Sequence, residues 1–369
     1  MENHKHLLRF CKQRADEKGG EMPASTHLTS LMQKTPNFTS EFGTISHVDA
    51  DDLPILKRLS LRRLVLAPRG VREPHWHANA NELGYCLRGQ HLVTIAGNHS
   101  SCDSFTISPG QMFFVPSGAL HHIENLGEEE GELILAFSNE RVEDFGLSGT
   151  FGAFTDAVLG NTSGLPAAAF APIQRSTRNT YIGSRAQPVV PAGQARHVNP
   201  YKYDLEAAAP AIASASGSAR TARVASWPAL QDICMFSVRI TDQGMREVHW
   251  HPETAEMGYV TAGHGRMTII SPSGGVDTYR MQPGDMYSIP RAYPHHIENV
   301  AGAELSILIF FDRNTPGDIG GKVLLSAFST EVLAATFQTD PRSIPHFPFT
   351  AEDPLIVPRL NPIDPSREN

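Results

Sequence analysis

The sequence predicts an all-β chain of two tandem barrels with a few peripheral helices. Three observations carry this. One block of residues recurs at a fixed offset. The apolar residues between its landmarks fall in short runs broken by turn formers. The chain, at 369 residues, is long enough for two domains that each bury a core.

The repeat is read directly. Arg72-Glu73-Pro74-His75-Trp76-His77 returns as Arg246-Glu247-Val248-His249-Trp250-His251, and Glu82-Leu83-Gly84-Tyr85 as Glu256-Met257-Gly258-Tyr259. His121-His122-Ile123-Glu124-Asn125 returns unchanged as His295-His296-Ile297-Glu298-Asn299, again 174 residues on. Equal offsets at both ends mean equal intervening lengths, so a whole fold has been duplicated, in a unit too long for a solenoid. Within each copy the runs Leu92-Val93-Thr94-Ile95, Met112-Phe113-Phe114-Val115 and Leu133-Ile134-Leu135-Ala136-Phe137, with their counterparts, read as strands bounded by Gly, Pro and Asn. Many short strands with frequent turns indicate a sandwich or barrel. Helical signal is confined to the segments after each barrel, as in Lys322 to Phe337.

Composition divides the chain into a polar N-terminal arm (1–45), a first barrel (46–165), an Ala-, Ser-, Pro- and Gly-rich linker with possible edge strands for the second barrel (166–222), the second barrel (223–346) and a Pro-rich tail (347–369) that wraps the surface or stays disordered. A formal charge of -8 excludes a general affinity for nucleic acid or anionic membrane. A bound metal would still attract a small anion at short range. No apolar run approaches the roughly 20 residues that span a bilayer, and the N-terminus has no secretory apolar core, so a cytoplasmic protein is expected. Cys11, Cys86, Cys102 and Cys234 have no paired spacing and read as reduced thiols.

The chemistry sits in the repeated polar residues. On a strand, His75 and His77 share a face while Trp76 points away. Glu82 follows across a turn and His121 arrives after Pro116-Ser117-Gly118. Three imidazoles and one carboxylate suit a divalent transition metal with positions left open. His249, His251, Glu256 and His295 repeat the set at identical spacing. A lone His-x-His is commonly incidental; eight residues recurring in register are not. By the same alternation His122 and His296 point away from the metal, and Met112 and Met286 belong to the core.

These residues resemble the two cupin motifs: Gly70-x4-His75-x-His77-x4-Glu82-x6-Gly89, then Gly110-x5-Pro116-x-Gly118-x2-His121-x3-Asn125, both recurring in the second copy with Ala292 in place of Gly. The spacing from Gly70 or Gly244 to the first His is one shorter than usual. The resemblance implies two cupin (jelly-roll, double-stranded β-helix) barrels. Arg-Glu-x-His-Trp-His in both halves is similar to the oxalate decarboxylase family, manganese enzymes that convert oxalate to formate and CO2 with O2 as cofactor. It implies two Mn2+ per chain, with Fe2+ or another divalent metal as the alternative, and Arg72 and Arg246 over the metals, where an Arg fork polarises a bound carboxylate. Strict alternation puts Arg72 on the face opposite His75, so the chain must bend near Glu73-Pro74. Bicupins of this kind form trimers or hexamers, so a homo-oligomer is expected.

In that family a Glu on a mobile lid after the first barrel moves the proton. Here the stretch 139–149 differs in sequence and offers Glu143 and Asp144. In the second copy the family's pocket Glu aligns with Ile309, leaving Asp318, the counterpart of Asp144, as substitute. The first barrel is thus expected to be catalytic and the second structural or electron-storing. The leading function is oxalate or small-carboxylate decarboxylation. The alternatives are an oxalate oxidase or other cupin dioxygenase, or a metal-storage protein without turnover.

Overall fold

A computed structural model describes residues 26–98, 102–187 and 199–362; Cys11, most of the N-terminal arm and the end of the tail lie outside the described residues. The two halves fold as two cupin barrels, each a pair of antiparallel sheets. In the first, a seven-stranded sheet runs in the order Lys202–Asp204, Gln111–Val115, Glu82–Arg88, Gly131–Phe137, Ser60–Leu66, Gly43–Val48, Phe38–Ser40. The facing sheet runs Asp144–Gly146, Gly70–His77, Leu120–Asn125, His91–Ala96, Cys102–Ile107, with Ile182–Ser184 also paired to Gly70–His77. Gly131–Phe137 is apolar along most of its length because it is buried throughout, flanked on both sides by other strands. His91–Ala96 alternates buried and half-buried residues, as a strand with one face in the core does.

The second barrel repeats this arrangement. The edge strands reveal a reciprocal exchange that composition did not indicate. Leu28–Ser30, which precedes the first barrel, pairs with Asp285–Ile289 of the second. Lys202–Asp204, which precedes the second, pairs with Gln111–Val115 of the first. Of the strands in the stretch 166–222, Ile212–Ser214 and Gly217–Ala222 join the second barrel and Ile182–Ser184 joins the first. Ile356–Pro358 closes the second barrel as Ile182–Ser184 closes the first. Leu31, Met112 and Phe114 pack in one continuous core with Trp227, Met257 and Met286, so the barrels share buried apolar surface.

Two short helices follow each barrel, Leu147–Ala153 with Asp156–Ser163 and Gly321–Ala327 with Thr330–Phe337. The segment Lys322 to Phe337 is therefore broken, because Ser329 caps a new helix by accepting from the Val332 N–H, as Thr155 does from Val158. Among the described residues no helix is long and apolar enough to cross a membrane.

Candidate metal centres

Each barrel gathers its four repeated polar residues into one buried cluster. His75 and His77 project from Gly70–His77, Glu82 opens the next strand, and His121 stands directly across from His75 in the adjoining strand. His249, His251, Glu256 and His295 are arranged alike. All eight side chains are buried, and in each set the ligand atoms lie within 4.8 Å of one another. The Gly two residues beyond each Glu has a packing cause: a Cβ on Gly84 would sit 2.1 Å from the Phe113 ring, and one on Gly258 2.1 Å from Tyr287.

The expected bend is a β-bulge. His121 opposes His75 while Ile123 opposes Arg72, so three steps on one strand face two on the other. The extra residue returns Arg72 to the inner face, and the same shift occurs between Arg246 and His249. Arg72 and Arg246 line the cavities over their clusters. Each is held by a backbone carbonyl, Arg72 Nη1 donating to Tyr181 (3.2 Å) and Arg246 Nη1 to Leu355 (3.0 Å). Tyr181 and Leu355 both take left-handed backbone angles, φ 60° and 56°, to present those carbonyls.

The hydrogen bonds test whether the clusters fit a metal. His75 Nδ1 donates to the Glu73 carbonyl (2.7 Å), His121 Nδ1 to Ala119 (3.0 Å), and His77 Nδ1 to the Asp144 carboxylate (2.6 Å). Neutral rings so engaged present lone pairs at Nε2. Yet His77 Nε2 and His121 Nε2 lie 2.7 and 3.1 Å from the same Glu82 oxygen. Lone pairs facing a buried carboxylate repel unless a cation lies among them, so the donor set fits a divalent ion. In the second barrel His249, His251 and His295 donate from Nδ1 to the Glu247, Gly317 and Tyr293 carbonyls, leaving Nε2 toward Glu256 at 2.8 Å from His251 and 3.3 Å from His295. Two such sites accommodate two metals per chain. A third group, His47, Asp49 and Asp52, is half-exposed, and Asp52 already pairs with Lys34.

Asp144 is not on an open lid. It lies in the strand Asp144–Gly146, opposite His77 in register, and its carboxylate also pairs with Arg62 Nη1 (2.5 Å) and lies 3.7 Å from Arg72. Burial works to raise its pKa, but the His77 hydrogen bond and the Arg62 charge hold it well below the usual carboxylate range. Glu143 is exposed, its backbone tied to Asn79 and Ala78. Asp318 pairs instead with Arg246, and burial pushes its carboxyl up. Ile309 lines the second cavity, as Leu135 at the equivalent position lines the first. On the outer face His122 pairs with Glu124 (2.6 Å), and Trp76 stacks on Phe145.

Two wall residues escaped the sequence reading. Arg62 lines the first cavity where Phe236 lines the second. Tyr287 donates its hydroxyl to Glu256 Oε1 (2.7 Å), where the first copy has Phe113 and Glu82 Oε1 is buried without a partner. Comparing the copies position by position beyond the motifs would have exposed both.

The cupin family model matches residues 29–165 and 203–344. Oxalate decarboxylase OxdC of Bacillus subtilis is 29% identical over 296 residues, covering 77% of this chain and 75% of that protein. Oxalate oxidase GF-2.8 of Triticum aestivum is 29% identical over 118 residues, 30% of this chain and 53% of its own. A solved structure of the Bacillus subtilis decarboxylase, described as having Mn(II) centres, superposes with a TM-score of 0.80 at 24% identity, covering 93% of this chain and 91% of that one. With the family model spanning both barrels and each barrel carrying a full His-His-Glu-His cluster, the chain belongs to the cupins, as a bicupin of the oxalate decarboxylase family.

Proposed function

We propose that the chain is a metal-dependent carboxy-lyase that cleaves oxalate or a similar small carboxylate to formate and CO2 with O2 as cofactor, the first barrel being the reacting one. The observation that carries this reading is Arg72, buried and aimed into the cavity over the first cluster. His75, His77, Glu82 and His121 would hold the metal, manganese by likeness to the relative with Mn(II) centres, and bound there it would supply Lewis acidity and one-electron chemistry. Arg72 would bind and polarise the carboxylate through its guanidinium fork. Asp144 would act as a positioning residue, fixing the His77 tautomer and steadying Arg72. The second set, His249, His251, Glu256 and His295 under Arg246, would hold the second metal.

One observation favours a second reading, oxidation of oxalate to CO2 and peroxide. Asp144 is locked as an anion and Glu143 lies on the outside, so neither acid stands ready to hand a proton to the carbon left by CO2. Assembly into a trimer or hexamer belongs to the same proposal, supported by exposed apolar residues repeated on the two helical segments, Phe154 with Phe328 and Val158 with Val332. Manganese-loaded protein incubated with oxalate and O2 should release formate; peroxide instead selects the oxidase reading. Neither product at acidic or neutral pH removes oxalate as substrate. Arg72→Ala should abolish turnover and spare metal content, and unchanged turnover would remove Arg72 from the reaction.

A further inference from the structure

The two cavities share their clusters, an Arg and a Phe (Phe137 or Phe311), yet their remaining walls differ in charge and size. Four positions change between the copies: Ile45, Arg62, Leu64 and Leu135 in the first cavity become Ala219, Phe236, Val238 and Ile309 in the second. Counting the formal charges of the lining residues and their direct ion-pair partners, Arg62 and Arg72 balance Glu82 and Asp144 in the first barrel, whereas Arg246 faces Glu256 and Asp318 in the second; Arg223, 5.9 Å from the centre of the Phe236 ring, stands outside that lining. The immediate lining of the first site is therefore more positive by one charge, whatever cation both hold. In the second, Leu355 and Ile356 extend the apolar wall.

Arg62 is placed to touch a ligand. Its guanidinium carbon lies 4.6 Å from the centre of the Phe137 ring, which itself packs edge-on against His77. Nη1 is committed to Asp144, and a guanidinium has further N–H groups in the same plane for a second anionic acceptor.

We propose that the two barrels select different anions: the first a compact dicarboxylate dianion gripped by both Arg62 and Arg72, the second a monocarboxylate bearing a small apolar substituent that packs on Phe236. Arg62 is the specificity-determining residue of the first site. This rests on reading each cluster as a metal-borne carboxylate site. The physical reason is that a second carboxylate desolvated against Phe236 and Ile309 would be left unpaired, whereas an apolar group beside Arg62 would strip that cation of water for nothing.

The test is calorimetric titration of the manganese-loaded full chain with oxalate and with propionate, without O2 so that binding is read apart from turnover. Oxalate should bind one site per chain at least tenfold more tightly than the other. Arg62→Phe should weaken the tight step by roughly ten- to hundredfold and leave propionate unchanged, the loss expected for one charge-assisted contact. Arg62→Lys should keep part of the preference. Phe236→Arg should create a second tight oxalate step, which keeps the idea testable if Arg62→Phe fails to fold. Equal weakening of both anions by Arg62→Phe would reduce Arg62 to a prop for Asp144 and overturn the proposal, as would a Phe236→Arg chain whose oxalate steps are unchanged. Oxalate selectivity that follows Arg62 in a protein without turnover would support it while removing the enzyme reading.

Discussion

Replacing Asp353 by Asn should make the second barrel less sensitive to a pH range in which it otherwise weakens. Glu247 is buried behind the second cluster, one oxygen accepting from the Lys322 N–H (2.9 Å) and the other, Oε1, without a partner unless a proton lies between it and Asp353. Burial first, then the hydrogen bond and charge of Asp353, push the Glu247 carboxyl up to about 7. In the first barrel the equivalent Glu73 accepts from the N–H groups of Tyr181 (2.6 Å) and Ser148 (3.0 Å), and position 179 is Asn. A carboxyl whose pKa is raised on folding contributes stability that is fully present below its unfolded value and is lost as pH rises through the folded value. The window is therefore from 4.5 to about 7. The full difference corresponds to ~3.4 kcal/mol by linkage; discounted for partial solvent access and for the burial contribution that Asp353→Asn leaves in place, at most about half of that is expected from the substitution. Urea unfolding of wild type and Asp353→Asn at pH 5 and pH 8 checks this. The gap in favour of the variant should grow by about 1 kcal/mol between those values, while contributions from the clustered histidines cancel in the comparison. A gap that is independent of pH, or that shrinks as pH rises, would refute the shared-proton argument.

Further perturbations probe other parts of the same construction. Ala292 occupies a left-handed turn (φ 63°) where the first copy has Gly118, so Ala292→Gly should stabilise by about 0.5 kcal/mol and Gly118→Ala should destabilise by about 1 kcal/mol in denaturant unfolding. No atom lies within 4 Å of a Cβ at Gly118, so the backbone angle alone is at stake there. Tyr287→Phe removes the donor to Glu256 and should weaken metal binding at one of the two sites by about 10- to 100-fold in a chelator competition, leaving the other unchanged. Leu31, fully buried in the shared core although it comes from the N-terminal arm, should cost about 3 kcal/mol on replacement by Ala; a loss below 1 kcal/mol would mean the exchanged segment contributes little.

Local sequence determined the duplication, the strand-rich character and both ligand sets, because a His-x-His pair on one face, a Glu across a turn and a distant His are specified by period-2 alternation and fixed spacing. It also required a bend at Glu73-Pro74, since strict alternation could not place Arg72 with the histidines. What alternation could not reveal is contact between residues far apart in sequence. Arg62 and Asp144 meet over His77 because two strands 82 positions apart pack against it, and that meeting turns a candidate proton carrier into a fixed anion. The exchange of Leu28–Ser30 and Lys202–Asp204 between barrels was equally hidden, since a three-residue strand carries no mark of its partner. The ligands were legible from local pattern; the asymmetry of the walls around them was decided by which side chains tertiary packing brought over each cluster.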